Sequence, residues 1–255
     1  MTTEWNGTRR LGRSGIAVSA VGLGGWAIGG PARLDGKPIG WGEVDDEESV
    51  RAIRRALDLG ITFFNTAGVY GAGHGERVLG RALAGRRHEA IVSTKFGLLF
   101  DEASRRMTGI MGEPDPAAIR RECEASLRRL ATETVDLFLC HPSELPVEHA
   151  AAVRDALEGL VAAGLIRAHG WSTDDPAGAA TFADGPHCAA VQHELNLVSD
   201  APAMLALCDR EDLASIDRSP LAMGLLTGKF RADSRLPGDD VRGDEPAWMK
   251  WFAGG

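Results

Sequence analysis

The chain of 255 residues is long enough for one α/β barrel or two small domains, and its hydrophobic fraction of 44% can form a full core. A formal net charge of −8 argues against a surface that binds nucleic acid or an anionic membrane, and no apolar run is long enough to span a bilayer. The N-terminus lacks the basic start and apolar stretch of a signal peptide, and the four cysteines show no CxxC spacing. We therefore expect a cytoplasmic protein with buried, reduced thiols, without a metal site and without nucleic-acid or membrane partners.

The chain alternates strand-like and helix-like segments after a short hairpin predicted from Arg9 to Val18. The predicted strands, rich in β-branched and aromatic residues, are 18–24, 61–64, 90–97, 135–141, 166–172, 189–196 and 213–220. The predicted helices are 46–59, 76–86, 115–130, 147–163, 176–183 and 200–211. Asp46 is the expected cap of the first helix, and Asp115 followed by Pro116 is expected to begin the third.

Strands separated by helices predict a parallel sheet, most simply an α/β fold of the (β/α)8 TIM-barrel type with only seven strand–helix units evident. We expect a single domain over residues 1–255. An open doubly wound sheet is the alternative, but Gly22-Leu-Gly-Gly25 lacks the GxGxxG spacing that such sheets usually carry. In a barrel, the C-terminal ends of the strands meet at one mouth, where active sites form.

Polar residues follow the second, third and fourth predicted strands: Asn65 and Tyr70, then Lys95, then His141. Each alone is an ordinary loop or strand-end residue, but together they bring a phenol, an ammonium and an imidazole to one mouth. A phenol is a poor acid–base catalyst until a nearby cation such as Lys95 stabilises its anion. An imidazole can orient and polarise a carbonyl oxygen. Tyr70 is also the only tyrosine in the chain.

Five stretches of the sequence, in this order, resemble the aldo-keto reductase family, in particular its bacterial branch. They are residues 11–19, 63–71, 93–96, 136–141 and 219–229. The resemblance implies a barrel that binds NADPH in an extended form and reduces aldehydes or ketones. It also implies that Tyr70 is the proton donor, that Lys95 tunes the pKa of Tyr70, and that His141 orients the carbonyl group.

The resemblance further implies a set of cofactor-binding residues. Ser172 and Gln192 match the residues that hold the nicotinamide amide, and Thr173 replaces the family's asparagine after Ser172. Arg218 falls where many members place an aromatic ring under the nicotinamide, and 219–229 matches the loop that covers the pyrophosphate. The candidate cofactor residues are Ser172, Thr173, Gln192, Arg218, Ser219, Leu221, Gly224 and Lys229.

The sequence ends at Gly255, before the stretch corresponding to the family's eighth strand, its last helices and the loop that grips the adenosine phosphate. We therefore expect weak NADPH binding, because each lost charge-assisted hydrogen bond costs about 1.5–3 kcal/mol. Strands one and seven would also have unpaired edges. We expect either that Trp248, Trp251 and Phe252 pack across this gap or that the protein forms a homo-oligomer there.

Asn65 stands where the family has an aspartate that pairs with the lysine. Without that charge, a protonated Lys95 is expected to favour tyrosinate and make Tyr70 a better base, although burial could instead deprotonate Lys95. Two functions stay open for a small-molecule carbonyl substrate: an NADPH-dependent reductase, or a redox-independent lyase, dehydratase, isomerase or cyclase. The presence of Tyr70, Lys95 and His141 argues against a third possibility, a binding scaffold without catalytic activity. Loops 26–44, 98–114 and 233–252 are expected to shape the substrate pocket.

Overall fold

The computed structural model describes residues 7–231 and 233–243. The strands are β1 (Thr8–Arg10), β2 (Ala17–Ser19), β3 (Gly22–Gly24), β4 (Arg33–Leu34), β5 (Lys37–Pro38), β6 (Phe63–Asn65), β7 (Ile91–Phe96), β8 (Leu98–Asp101), β9 (Arg106–Ile110), β10 (Val135–Cys140), β11 (Ile166–Ser172), β12 (Cys188–Glu194) and β13 (Ala214–Arg218). The helices are α1 (Asp46–Asp58), α2 (His74–Ala82), α3 (Pro116–Leu130), α4 (Val147–Ala162), α5 (Pro176–Ala183) and α6 (Pro202–Arg210).

The central feature is a curled parallel sheet of seven strands in the order β13-β12-β11-β10-β7-β6-β3. This order confirms the predicted α/β fold of the barrel type with seven strands. The pairing register aligns Asn65 with Ser93 and Lys95 with Leu139, so the ends of neighbouring strands reach the same level. Within the described ranges, β3 and β13 form the two edges of the sheet and do not pair with each other.

Side chains alternate between the two faces of this sheet, as they must in any strand. On the outer face they pack against the helices and form the larger core, which includes Phe64, Val92, Phe138, Trp171 and Val191. On the inner face they form a second core, which includes Phe63, Leu137, Leu139, Ala168 and Ala190. The same alternation decides which polar side chains point into the barrel at its mouth.

The predicted N-terminal hairpin is confirmed, with β1 and β2 antiparallel, and it closes the end of the barrel opposite the mouth. Leu11, Ile16 and Val18 fill the inner core from below. Gly12 has φ of 49°, and a Cβ at this position would lie 2.2 Å from the carbonyl oxygen of Ala189. The hairpin turn therefore needs glycine both for its backbone conformation and for its contact with β12.

Helix boundaries differ slightly from the sequence prediction. The cap of α1 is Asp45, not Asp46, because Asp45 has the extended backbone of a cap and its Oδ1 accepts hydrogen bonds from the amides of Glu47 and Glu48. Asp115 caps α3 with Pro116 at the first helical position, as predicted. The second helix begins at His74 rather than Glu76, after a glycine with positive φ at position 73.

Two predicted loops contain strands, which corrects the sequence interpretation. Segments 26–44 and 98–114 contribute a small sheet of order β5-β4-β9-β8, joined by the pairing of Arg33 with Arg106. Both segments follow the C-terminal ends of barrel strands, so this sheet lies beside the mouth. The pairing connects residues more than seventy positions apart in the chain, and polar composition alone does not indicate it.

The tail residues Trp248, Trp251 and Phe252 lie outside the described residues, so the prediction that they pack across the sheet edge stays a prediction. Slightly earlier in the chain, the Val241 amide donates to the carbonyl of Gly40 at 2.9 Å. Asp240 likewise forms a bridge with Trp41. Residues 240–241 therefore reach across to the loop that follows β3.

All four cysteines are buried, as predicted. In the part of the chain that the structure describes, no helix has both the length and the apolar character needed to cross a membrane.

Candidate active site

Strand alternation brings three of the four candidate catalytic residues to the inner face at the mouth. Asn65 ends β6, Lys95 is the fifth residue of β7, and His141 directly follows β10. On the same face of β7, Ser93 lies two residues before Lys95 and accepts a hydrogen bond from Asn65 Nδ2 at 3.2 Å. Sequence reasoning did not single out Ser93, although the two-residue spacing from Lys95 could have indicated it.

Lys95 is 2% exposed, and its Nζ lies among three oxygen atoms. It donates to Asn65 Oδ1 at 2.7 Å and to the Thr66 carbonyl at 2.8 Å, and it lies 3.5 Å from the Tyr70 hydroxyl. The expected hydrogen bond between Asn65 and Lys95 is therefore present. Among the described residues, Lys95 forms no ion pair with a carboxylate.

Tyr70 follows β6 in the turn that leads to α2, where its ring meets the other candidate residues. His141 approaches it edge-on with the ring centroids 5.8 Å apart, and Lys95 Nζ lies 5.1 Å from the phenol centroid. Trp26 stacks on the Tyr70 ring with the centroids 6.1 Å apart, and Trp41 meets Trp26 edge-on at 5.3 Å. The structure thus brings Asn65, Tyr70, Lys95 and His141 together and adds two indoles.

Burial dominates the electrostatics of these groups. It raises the pKa of Tyr70 to about 12, against a smaller opposing effect of Arg218. It lowers the pKa of Lys95 to about 7, with the carboxylate of Glu76 acting in the opposite direction. It also lowers the pKa of His141 well below its ordinary value, helped by the positive charges of Lys95 and Arg218. Near neutral pH, Tyr70 therefore keeps its proton and His141 is a neutral imidazole.

This result favours the outcome in which burial removes the proton from Lys95 over the expectation that Asn65 makes Tyr70 a better base. That expectation assumed a wet mouth in which a protonated Lys95 stabilises tyrosinate. Instead, Lys95 is almost completely buried, and burial penalises both the ammonium and the phenolate. The pKa of Tyr70 is raised rather than lowered, and the site suits proton donation.

A buried ionic cluster lies on the outer face of β7, directly behind Lys95, and sequence reasoning did not assign it a role. Glu76, in the first turn of α2, is fully buried. Its Oε1 accepts a hydrogen bond from Thr94 Oγ1 at 2.5 Å, and its Oε2 accepts one from Arg129 Nε at 2.6 Å. Arg129 also donates to Glu102 on the surface at 2.9 Å. The sequence signal for this cluster was a charged residue on the core side of α2.

Of the candidate cofactor residues, Ser172 and Gln192 best fit the expectation. Ser172 ends β11, and Gln192 lies near the C-terminal end of β12. Both side chains lie on the inner face of the sheet and are nearly buried. Ser172 and Gln192 are direct partners in the pairing of β11 with β12. Neither side chain forms a hydrogen bond with another described residue, which leaves a hydroxyl and an amide available for a planar carboxamide. The residues present therefore fit a nicotinamide.

Thr173 and Arg218 are engaged within the protein instead. Thr173 is fully buried, and its hydroxyl donates to the Ser143 carbonyl at 2.6 Å. Arg218 forms an ion pair with Asp174 and lies 3.6 Å from Glu194 Oε2. Arg218 therefore faces the mouth beside two carboxylates, and the Thr173 hydroxyl is bonded to the backbone next to the end of β11.

The predicted pyrophosphate-covering loop follows β13 and has an irregular backbone. Ser219, Met223 and Gly224 all have positive φ, at 54°, 56° and 98°. Leu221 is half exposed, and the Lys229 ammonium lies 5.1 Å from the Phe230 ring centroid. The loop presents backbone groups and one cation beside the mouth, which suits contact with an anionic ligand.

A curled parallel sheet with converging polar side chains at its C-terminal mouth defines an α/β-barrel type of enzyme. A model of the Aldo/keto reductase family matches residues 20–250. Aldo-keto reductase YhdN of Bacillus subtilis (strain 168) is 34% identical over 249 residues, which cover 93% of this chain and 69% of YhdN. The chain belongs to the aldo/keto reductase family, a family of oxidoreductases.

Comparison with solved structures supports membership of the same family. The structure of the glycerol dehydrogenase from Gluconobacter oxydans matches with a TM-score of 0.79 at 36% identity, covering 96% of this chain and 73% of that one. An aldo/keto reductase from Klebsiella pneumoniae, solved in complex with NADP and acetate, matches with a TM-score of 0.67 at 31% identity. That match covers 89% of this chain and 73% of the Klebsiella chain.

Proposed function

We propose that this protein reduces an aldehyde or ketone with NADPH. The observation that carries the proposal is the contact of the Tyr70 hydroxyl with Lys95 Nζ at 3.5 Å, beside the ring of His141. A proton donor, its neighbouring amine and a carbonyl-orienting imidazole lie at one mouth, close to the unpaired polar side chains of Ser172 and Gln192. NADP in the Klebsiella structure supports the choice of cofactor.

Ser172 and Gln192 would hold the carboxamide of the nicotinamide, and the loop after β13 with Lys229 would lie along the phosphates. When bound there, the cofactor would supply a hydride for the carbonyl carbon of the substrate. Arg218, held by Asp174, contributes positive charge to the same wall of the pocket. The Thr173 hydroxyl, which donates to the Ser143 carbonyl, would support the end of β11 beside the cofactor.

Tyr70 donates its proton to the carbonyl oxygen as that oxygen gains negative charge. A raised pKa keeps the phenol protonated at neutral pH, so the proton is present before the reaction. Neutral His141 donates a hydrogen bond that orients the carbonyl oxygen toward Tyr70. Lys95 contacts the phenol and would donate a hydrogen bond to the phenolate left after proton transfer, and Asn65 holds the Lys95 amine in place.

Redox-independent proton abstraction by Tyr70 is the alternative function, and it needs a tyrosine that ionises easily. The raised pKa of Tyr70 opposes this role. The substitution of asparagine for the family's aspartate at position 65 is the feature that motivates it. The two functions are distinguished by whether the nicotinamide is oxidised during turnover.

The test is a steady-state assay of a panel of aldehydes and ketones with NADPH and, separately, NADH, followed by absorbance of the reduced nicotinamide. Tyr70→Phe should lower kcat/KM by about 10²–10⁴-fold, because a positioned general acid contributes that much. Thr173→Val should have a much smaller effect on cofactor affinity than Gln192→Ala. Substrate-dependent exchange of α-hydrogens for solvent deuterium, without nicotinamide oxidation by any substrate, would favour the alternative function.

A further inference from the structure

Tyr70 differs from the other candidate catalytic residues because the sheet does not place it. Lys95 lies within β7, and the His141 amide donates to a carbonyl of β7 directly after β10. Tyr70, by contrast, follows the last residue of β6 by five positions and precedes α2. Contacts outside the sheet must therefore hold the phenol hydroxyl at 3.5 Å from Lys95 Nζ.

The loop after β3 touches the backbone of Tyr70 directly. This loop contains a 3₁₀ turn, Ala27–Gly29, whose last residue is buried. A Cβ on Gly29 would lie 2.7 Å from the carbonyl carbon of Tyr70 and 2.8 Å from the amide nitrogen of Gly71. It would also lie 3.0 Å from Tyr70 Cβ. The two backbones are therefore in contact, with no room for a side chain between them.

The contact needs glycine on both sides. A Cβ on Gly71 would overlap the carbonyl oxygen of Gly29, and Gly71 also has φ of 61°. Gly29 does not have a positive φ, so its backbone conformation would accept alanine. At Gly29, it is the close approach to the tyrosine that excludes a larger residue.

We propose that Gly29 is a positioning residue for Tyr70. Its backbone contact fixes where the phenol hydroxyl lies relative to Lys95 and His141. Gly29 has no side chain that could take part in a reaction, so it acts only through the tyrosine. The inference rests on the proposed function for its effect on the rate, whereas the placement of the phenol ring can be measured without a substrate.

The same segment also holds the phenol ring. Trp26, directly before the 3₁₀ turn, stacks on Tyr70 with the ring centroids 6.1 Å apart. The indole is fixed in turn, because its Nε1 donates to the Ile39 carbonyl at 3.2 Å. Segment 26–29 therefore contacts both the ring and the backbone of the tyrosine.

Both sides of this contact are anchored. The Gly25 amide, at the start of the loop, donates to the Asn65 carbonyl at 2.7 Å. On the other side, the Tyr70 amide donates to the Ala67 carbonyl, and the Gly75 amide of α2 donates to the Tyr70 carbonyl, both at 3.1 Å. A methyl group added to the contact must separate the backbones by roughly 0.7 Å to restore an ordinary separation of about 3.5 Å. Since both sides are anchored, this separation moves the phenol relative to its neighbours.

Tyr70 can be observed alone because it is the only tyrosine. With ring-¹³C-labelled tyrosine, the protein gives one phenol spin system by NMR. In wild type, this ring should show nuclear Overhauser effects to the Lys95 Hε protons and the His141 ring. Lys95 Nζ lies 5.1 Å from the phenol centroid, and the His141 centroid lies 5.8 Å from it. Gly29→Ala should weaken both effects and shift the ring resonances.

Two other alanine substitutions are matched controls. Gly24→Ala, at the end of β3, adds a methyl group that meets no atom of a distant residue within 4 Å. Gly75→Ala adds one 3.4 Å from Tyr70 Cβ, which is an ordinary van der Waals contact, and keeps the amide that bonds to Tyr70. Both variants should retain the wild-type resonances and Overhauser effects of the phenol ring, because neither forces two backbones apart.

The effect on the rate is measured with a carbonyl substrate that the protein reduces. Gly29→Ala should lower kcat by about 10–100-fold, because a misplacement of about 1 Å can cost roughly 10²-fold. KM for the carbonyl compound should change much less, since the substitution removes no side chain from the pocket. A raised KM with unchanged kcat would contradict a positioning role.

Unchanged phenol resonances and Overhauser effects in folded Gly29→Ala would overturn the proposal. If that variant does not fold, Ala27→Gly loosens the same turn at an exposed position without adding an atom. The effects from Tyr70 to Lys95 and His141 should then weaken as well, and their full retention would equally overturn the proposal. If the phenol moves in these variants but wild type reduces no carbonyl compound, the proposed function fails and the placement of Tyr70 by Gly29 stands.

Discussion

At the scale of single residues, burial controls Tyr70 more strongly than any neighbouring charge. Its titration can be followed by ultraviolet difference absorbance without interference, because it is the only tyrosine. We expect an apparent pKa of about 12 in the folded protein. Lys95→Met should change this value little, because Lys95 is already neutral at the pH where Tyr70 ionises. A wild-type value at or below that of a free phenol would contradict this account.

Burial of Lys95 also makes stability depend on pH. Its pKa falls from 10.5 to about 7 on folding, so between these values the unfolded chain binds a proton that the folded protein does not. The free energy of unfolding should therefore rise with pH in this window, by up to about 1.4 kcal/mol per pH unit.

Urea unfolding from pH 6 to 9 measures this dependence, and Lys95→Met should flatten it. Lys37→Met, at an exposed position of β5, is the control and should keep the wild-type slope. Equal slopes for wild type and Lys95→Met would show that the lysine does not lose its proton on folding.

The sequence indicated the catalytic side chains because Asn65, Lys95 and His141 lie at or next to the C-terminal ends of predicted strands, and Tyr70 follows shortly after one. It did not indicate the protonation of those side chains. Whether Asn65 leaves a wet or a dry site depends on how completely Trp26, Tyr70 and the β7 neighbours cover Lys95, and that burial arises from contacts between distant segments.

At the scale of structural elements, Arg242 connects the loop after β13 with the loop after β3, and an ion pair with Asp240 holds its guanidinium. Arg242 and Asp240 are both nearly buried, and the amide, Nε and Nη2 of Arg242 donate three hydrogen bonds to the Asp240 carboxylate. The guanidinium also donates to the Met223 carbonyl at 3.0 Å and lies 4.6 Å from the Trp41 ring centroid. Since Trp41 contacts Trp26, and Trp26 stacks on Tyr70, this pair supports one wall of the mouth.

Breaking this pair should be costly. Arg242→Met leaves Asp240 buried without its guanidinium, and we expect a loss of about 3–5 kcal/mol in the free energy of unfolding. Asp240→Leu/Arg242→Met removes both charges and should recover much of that loss. Urea unfolding monitored by tryptophan fluorescence gives both values. A double variant no more stable than the single variant would show that the pair is not what holds the two loops.

The small sheet made by β4, β5, β8 and β9 marks the limit of sequence reasoning at this scale. Its strands are two to five residues long and lie in polar segments, so local periodicity does not reveal them. The pairing of β4 with β9 exists only because both segments leave the barrel at the same end. The central barrel strands β7, β10, β11 and β12, by contrast, were predictable because most of their residues are buried and apolar or β-branched.

At the scale of the whole molecule, β3 and β13 are the sheet edges within residues 7–231 and 233–243, and we propose that the protein self-associates through them. Val21, directly before β3, is 49% exposed and gives this edge an apolar side chain. Sedimentation velocity should show concentration-dependent association in the micromolar range. Val21→Lys should weaken it, since a charged residue protects an edge, whereas Val198→Lys, in the loop after β12, should not. A wild-type monomer at all concentrations would refute the proposal.

The proposed function itself is tested most directly by following the hydride. The protein is incubated with NADPH carrying deuterium at both C4 positions and with a carbonyl substrate it consumes, and the product is analysed by mass spectrometry and NMR. We expect one deuterium on the former carbonyl carbon, formed about 10²–10⁴-fold more slowly by Tyr70→Phe. A product without cofactor-derived deuterium, carrying solvent deuterium at the α-carbon instead, would contradict the reductase assignment.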